Sequence, residues 1–400
     1  VTTTTLTRGL SLATFLQWAG AGAIIPLLPA FLRRDGASDL LVGLAMSAFF
    51  FAGVATQYAG GRLSDRLGRR PLLVGGLVLY AAGSLLFLAP LPAVTAVACR
   101  ALQGVGAGVA QVVAAAVLAE HVPPRERGRA FGLFFGAQIA GLAIGPLVGT
   151  TVGLRHMDLL FAGAAALQAM AIVPVVRSVP VRRPAPTALR AAPPTRGVSR
   201  LGRTALGVAL VAAGGGLLSG TYEAVWTLLL LARHADDLQI GLSFTVFALP
   251  YMAVSVPAGW LADRLDRRRL AAVSLLVSAG FASTYPFLRD VNLMIGLAAL
   301  EAVGGALAGP ASQSLLADAI GPGLLGQAQG AVATSQTAAT ALAAAAAGAL
   351  FATTTWLPFV LASLMSAAIA LGATRAWRDT QGRASHDVGH RLAVSPPPEG

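Results

Sequence analysis

Four hundred residues that are 56% hydrophobic and 12% charged, with a mean hydropathy of +0.70, exclude an ordinary soluble protein, because soluble domains charge about a quarter of their residues. All 29 basic residues are arginine, which excludes lysine Schiff-base chemistry and any phosphate loop built on a lysine. One cysteine, Cys99, excludes an intrachain disulfide, and the five histidines fall in loops or the tail, so no metal cluster is expected at membrane depth.

The charge that remains is clustered. Between the clusters lie apolar runs of roughly 20 residues, the length a helix needs to cross about 30 Å of hydrocarbon. In chain order they cover 10–32, 41–60, 71–89, 93–118, 130–153, 159–176, 204–231, 239–258, 270–288, 293–317, 328–351 and 356–374. The first is too long for a signal-peptide core and lacks a cleavage site, so it reads as a retained span. All twelve are expected to be helices, since lipid offers backbone groups no partners.

Residues 178–203, with five prolines and six arginines, read as a solvated cytoplasmic linker. It separates six-helix bundles at 1–177 and 204–376, and 377–400 reads as a disordered tail. With the N-terminus cytoplasmic, that side collects 23 arginines against five on the other, and Arg100 alone lies inside a span. The positive-inside rule then places both termini in the cytoplasm of a multi-pass inner-membrane protein. This asymmetry also accounts for the net charge of +12, so no nucleic-acid partner is expected.

The two halves repeat at an offset of 198 residues. Gly61, Asp65, Arg66 and Arg69 map onto Gly259, Asp263, Arg264 and Arg267; Glu120 maps onto Asp318 and Gly132 onto Gly330. One offset that aligns three separate places argues for duplication, hence for twin bundles flanking a central cavity and working by alternating access.

On these residues the chain resembles the major facilitator superfamily. GRLSDRLGRR, Gly61 to Arg70 and including Gly68, is similar to the signature between its second and third helices. RALQGVGAG, Arg100 to Gly108, is similar to its fourth-helix signature. Gly132, Gly141, Gly145, Pro146 and Gly149 resemble the antiporter signature of the drug:proton families, with Thr150 where a second glycine is usual. The resemblance implies an all-α membrane protein of twelve transmembrane helices in two pseudo-symmetric bundles. It further implies an exporter rather than an enzyme, with no cofactor and a proton gradient as its driving force. Small molecules, protons and the bilayer are its expected partners, and a monomer is the expected working form.

Three sets of residues then carry the expected mechanism. A cytoplasmic clamp of Asp65, Arg69, Glu120 and Arg127 or Arg129 is expected to latch the inner mouth, unless those ions form a fixed structural pair. Gly141, Gly145, Gly149 and Gly153 recur every four residues and make a smooth face, read as a sliding contact between the halves or as generic tight packing, two readings that are not exclusive, with Pro146 permitting a bend. Arg100, Glu223 and Glu301 are charges at membrane depth, each costly unless paired or hydrated. They lie on three of the four helices that line the cavity in the resembled fold, and the first of the four contributes Gln17 and Trp18. Glu223 is the leading proton-coupling carboxylate, flanked by Tyr222 and Trp226 as aromatic surface for a ligand. Glu301 is the second choice and a candidate partner for Arg100, a fixed structural pair of Arg100 with one of the two acids is the alternative to proton coupling, and Gln103 completes the polar set. A facilitator or proton symporter for a hydrophilic metabolite such as a sugar is the alternative.

Overall fold

A computed structural model describes residues 2–90, 92–123, 126–180, 202–319 and 325–393, with side chains left out at 57–62, 65, 66, 127, 128, 255–260, 262, 263, 317–319, 325–327 and 378–393. The described residues are helical apart from short connections, and they contain no strand. The first half holds α1 (Thr3–Ile24), α2 (Leu28–Arg34), α3 (Asp39–Leu67), α4 (Arg69–Leu86), α5 (Thr95–His121), α6 (Arg127–Val152) and α7 (Met157–Ser178). The second holds α8 (Arg203–Ala232), α9 (Asp237–Arg264), α10 (Arg267–Thr284), α11 (Val291–Gly305), α12 (Ala308–Ala319), α13 (Leu325–Thr353) and α14 (Leu357–Ala393).

Among the described residues, ten helices are long and apolar enough to cross a membrane, and eleven if α1 and α2 form one span. The expected span at 71–89 corresponds to α4, whose 18 residues begin with Arg69 and Arg70 and so dilute its apolar stretch. Two expected spans are broken. The first bends by 41° between α1 and α2, where Pro26 lacks an amide hydrogen and Pro29 favours a fresh first turn. The tenth stops at Gly305 and restarts at Ala308; the Ser274 hydroxyl donates to the carbonyls of Gly304 and Gly305 at the break. The last helix runs on to Ala393, past the irregular tail expected from 377, through a stretch that holds no proline between Pro358 and Pro396. Linker residues 181–201 and tail residues 394–400 lie outside the described residues.

Packing within the halves follows the repeat. In the first, α1 packs on α6 and α7, α3 on α5, and α4 on α7; in the second, α8 packs on α13 and α14, α9 on α11, and α10 on α14. Between halves, α3 meets α13 and α6 meets α9, the two contacts that a twofold relation exchanges. The apolar core is divided accordingly. One cluster belongs to the first half, around Leu10, Leu77, Val113 and Phe134. Another belongs to the second, around Val208, Leu275, Leu316 and Trp377. Both sit toward the arginine-rich end. The third cluster joins the halves, with Ile24, Leu28 and Met46 against Val225, Leu229 and Met294, toward the arginine-poor end. The bundles are therefore sealed together at one end and carry separate cores at the other.

Candidate functional site

Between the bundles, on the arginine-rich side of that seal, lies a cavity of about 630 Å³. Its walls are unequal: six of its 31 lining residues come from the first half, from α1, the break after it, and α6. The second half supplies the rest, including the only two acidic groups among the described residues, Glu223 and Glu301. Among the described residues, no arginine or histidine lines it.

Helix α8 places Tyr222 and Trp226 one turn apart on the same face, with Glu223 beside them. Glu301, on α11, is 4% exposed. The Tyr222 hydroxyl donates to both of its oxygens, at 3.0 and 3.2 Å, and the Tyr285 hydroxyl donates to Oε2 at 2.9 Å. Tyr285 was not among the expected site residues. It sits on the 3-10 turn after α10, with Pro286 behind it, and edge-on contacts to Trp226 at 4.9 Å and Tyr222 at 6.3 Å hold it in place. Trp226 is fixed in turn by its indole N–H, which donates to Ser243 Oγ at 2.9 Å. The signal that could have found Tyr285 is the repeat: position 87 of the first half carries phenylalanine, so the hydroxyl is an addition of the second.

The charge triad converges in part. Arg100 is 2% exposed and lies behind the cavity wall. Its Nη1 donates to Gln103 Oε1 at 2.9 Å, Gln103 donates to Ser84 Oγ at 2.9 Å, and its guanidinium rests 4.5 Å over the Phe49 ring. Glu301 is not its partner, contrary to expectation, because the two phenols already occupy that carboxylate. Glu223 is the acid that Arg100 feels electrostatically, yet no ion pair within 4 Å joins them. Arg100 Nε and Glu223 Oε2 are both buried without a hydrogen-bond partner. Gln17, Trp18 and Gln103 stand away from the cavity. Gln17 and Trp18 face a small crevice within the first bundle, and the Gln17 carbonyl accepts from Gln168 Nε2 at 3.3 Å.

The glycine face of α6 takes the tight-packing reading of the two expected for it. Gly141, Gly145 and Gly149 abut the backbone of α1, from Phe15 to Ala23, leaving no room for a side chain. They make close packing inside the first bundle, not a sliding surface between halves. Gly132 meets nothing within 4 Å. The contact between halves uses other positions of α6. Thr150, the departure from the signature, seats against Gly241 of α9. Thr245 Oγ1 donates to Ala143 O at 3.1 Å, and the Leu154 amide donates to Asp237 Oδ2 at 3.0 Å. Thr227 Oγ1 donates at 2.6 Å to Pro26 O, at the break between α1 and α2. These bonds seal the arginine-poor end with hydroxyls and one carboxylate on backbone groups.

At the opposite end, Arg69 binds Glu120 through two nitrogens and also donates to Ser64 Oγ. Gly68, with φ of +95°, makes the turn from α3 into α4 that only glycine adopts readily. The Arg69–Glu120 pair ties α4 to α5 within one bundle instead of spanning the mouth. Arg129 and Arg264 are exposed at the ends of α6 and α9. Gly61 and Gly259 fall within α3 and α9, but their surroundings and the side chains of Asp65, Arg66, Arg127 and Asp263 lie outside what the structure describes, and so does the part of the expected clamp that runs through them.

The family model described as Major Facilitator Superfamily matches residues 10–230 and again 204–396. Inner membrane transport protein YajR of Escherichia coli (strain K12) is 34% identical over 154 residues, 38% of this chain and 34% of that protein. Quinolone resistance protein NorA of Staphylococcus aureus (strain Mu50) is 28% identical over 152 residues, 38% of this chain and 39% of that protein. These matches span little more than a third of the curated relatives. The crystal structure of nucleoside transporter NupG superposes with a TM-score of 0.75 over 93% of this chain and 99% of that one, at 12% identity, a likeness of fold.

Proposed function

Because the chain belongs to the Major Facilitator Superfamily, a family of membrane transporters, we propose that it exports small amphipathic molecules in exchange for protons. The observation that carries this reading is the pair of acidic groups, Glu223 and Glu301, in a cavity that no basic side chain lines among the described residues. Buried carboxylates in a membrane are expensive and are retained for ion or substrate handling. The accessible surface of this cavity of about 630 Å³ is mostly apolar, although serines, Gln313 and Gln336 join the two carboxylates along its wall, and such a surface suits a drug-sized amphipathic ligand better than a sugar. The similarity to a quinolone resistance protein and the glycine-proline pattern of α6 support export.

In this reading the arginine-rich end is cytoplasmic, so the cavity loads from the cytoplasm while the opposite end is sealed. A proton and a substrate compete for the acidic wall. Protonation of Glu301 adds a donor where two phenols already donate, and the cluster must rearrange to satisfy it. Substrate leaves as the proton enters, and release of the proton inside resets the site. No cofactor takes part, one chain suffices, and the protein resides in the cytoplasmic membrane.

The test is proton-flux recording in reconstituted vesicles during addition of lipophilic cations, neutral drugs and sugars. Amphipathic substrates should move protons, and collapse of the pH gradient should stop their transport. Glu301→Gln should uncouple the two. Sugar-dependent flux in the wild type, with none for amphipathic compounds, would overturn the reading.

A further inference from the structure

The Tyr285 hydroxyl reaches Glu301 from a short 3-10 turn, Tyr285–Phe287, between α10 and α11. The Leu288 amide donates to Tyr285 O at 3.0 Å, but the hydrogen bonds of a 3-10 turn are poorly aligned and hold it weakly. Two further carbonyls are gripped from outside by Arg233. Its Nη2 donates to Pro286 O at 2.5 Å, and its Nε donates to Leu288 O at 2.8 Å. Arg233 is half-buried at the C-cap of α8, about three turns of helix beyond Tyr222. Tyr222, Trp226 and Arg233 therefore share one face of α8.

That face serves both donors of the carboxylate. Tyr222 donates directly. The second phenol is braced twice, by Trp226 edge-on at 4.9 Å and by Arg233 through the carbonyls beside it. The repeat sets this arrangement apart from ordinary loop packing. At the offset of 198 residues, Arg233 corresponds to Asp35 and Tyr285 to Phe87. An ionised aspartate has no hydrogen to give a carbonyl, and Phe87 has no hydroxyl to aim; its ring stacks on Phe161 at 4.5 Å. The hydroxyl and the arginine that braces its turn occur together, in the half that lines the cavity with acid.

We infer that Arg233 is a positioning residue for Glu301: by gripping the carbonyls of Pro286 and Leu288 it keeps the Tyr285 hydroxyl on Oε2. A hydroxyl bonded at 2.9 Å has lost that bond by about 3.6 Å, so a small drift of the turn leaves the carboxylate to Tyr222 alone. The same end of α8 carries Thr227, which donates to Pro26 O across the seal between the halves. Arg233 thus ties the setting of Glu301 to the helix that the seal holds. The inference rests on the exporter reading in that it gives Glu301 the coupling role.

The chain has five tyrosines, few enough for a direct readout. In nanodiscs, carbon-13 at tyrosine Cζ reports what each phenol donates to, and Tyr285→Phe and Tyr222→Phe assign the two resonances. Arg233→Gln should move the Tyr285 resonance toward that of free tyrosine and leave the Tyr222 resonance in place. Arg233→Lys, which keeps a cation and reaches one carbonyl, should move it part of the way. In vesicles, proton flux driven by rhodamine 6G should fall about fivefold in Arg233→Gln. The loss should match that of Tyr285→Phe and grow no further when the two are combined, because one acts through the other. A Tyr285 resonance unmoved in either Arg233 variant, equal movement of both resonances, or a deeper loss in the double variant would overturn the inference. Failure of the exporter reading shows separately, as a wild type in which no amphipathic compound drives proton flux; the two resonances still decide the role of Arg233.

Discussion

Gln103 and Glu301 occupy the same point of the 198-residue repeat, and both are buried polar side chains in the middle of a bundle. In the first half the amide joins Arg100 to Ser84, tying α5 to α4 behind the cavity wall. In the second half the carboxylate faces the cavity and is held by two phenols, and the repeat has Ile24 and Phe87 where those phenols stand. Duplication kept the helix plan and let the chemistry diverge. One bundle buries its cation away from the cavity; the other lines the cavity with acid. The close helix contacts diverge in the same manner. Where α1 meets α6 the small residues are Gly141, Gly145 and Gly149 on α6, and where α8 meets α13 the tight positions are Gly216 and Gly220 on α8.

The largest effect expected from this comparison is at Gly145, where a Cβ would stand 2.7 Å from the Ala19 carbonyl oxygen. Gly145→Leu should cost about 3 kcal/mol or more, read as thermal stability in detergent, because backbone cannot yield as a side chain can. Gly132→Leu, on the same helix with open space around it, should shift stability by less than about 0.5 kcal/mol. Equal losses at the two positions would break the assignment of the glycine face to α1. Next in size is Tyr285→Phe, which removes one donor from a buried carboxylate. It should cost about 1.5–3 kcal/mol and reduce proton-coupled flux. An unchanged protein would mean that Tyr222 alone holds Glu301.

The helices and their twinned arrangement were legible because apolar run length and arginine placement are read directly along the chain. The break at Pro26 was not, since a proline inside an apolar run permits either a mild bend or a full interruption. The Pro29 that follows it and the carbonyl taken by Thr227, from the other half, favour interruption here. Glu223 and Glu301 stood out as acids at membrane depth, but their different surroundings did not. Tyr285 lies 16 residues before Glu301, on another element, and only folding brings its hydroxyl to that carboxylate. The glycine face of α6 announced close packing without naming its partner, because a smooth face suits either neighbour. Its partner is decided by α1, whose own small residues Ala19, Gly22 and Ala23 meet it.

The smallest effects belong to the arginine-rich end, where the halves again part ways. Gly68 turns α3 into α4 with a positive φ, while its counterpart Asp266 keeps φ at −63° and caps α10 by accepting from the amides of Arg268 and Arg269. Ser64, which accepts from Arg69, has Ala262 as its counterpart. Ser64→Ala therefore gives the first half the second half's residue at that point. The Arg69–Glu120 pair, whose side chains are 20% and 45% exposed, should survive it and should itself contribute no more than about 1 kcal/mol. Ser64→Ala and Glu120→Gln should each lower thermal stability by about that amount or less, and salt should mask the second, since the ion pair is exposed to screening. A loss of transport from Glu120→Gln as deep as that from Glu301→Gln would show instead that the pair, although confined to one bundle, governs the motion between the two.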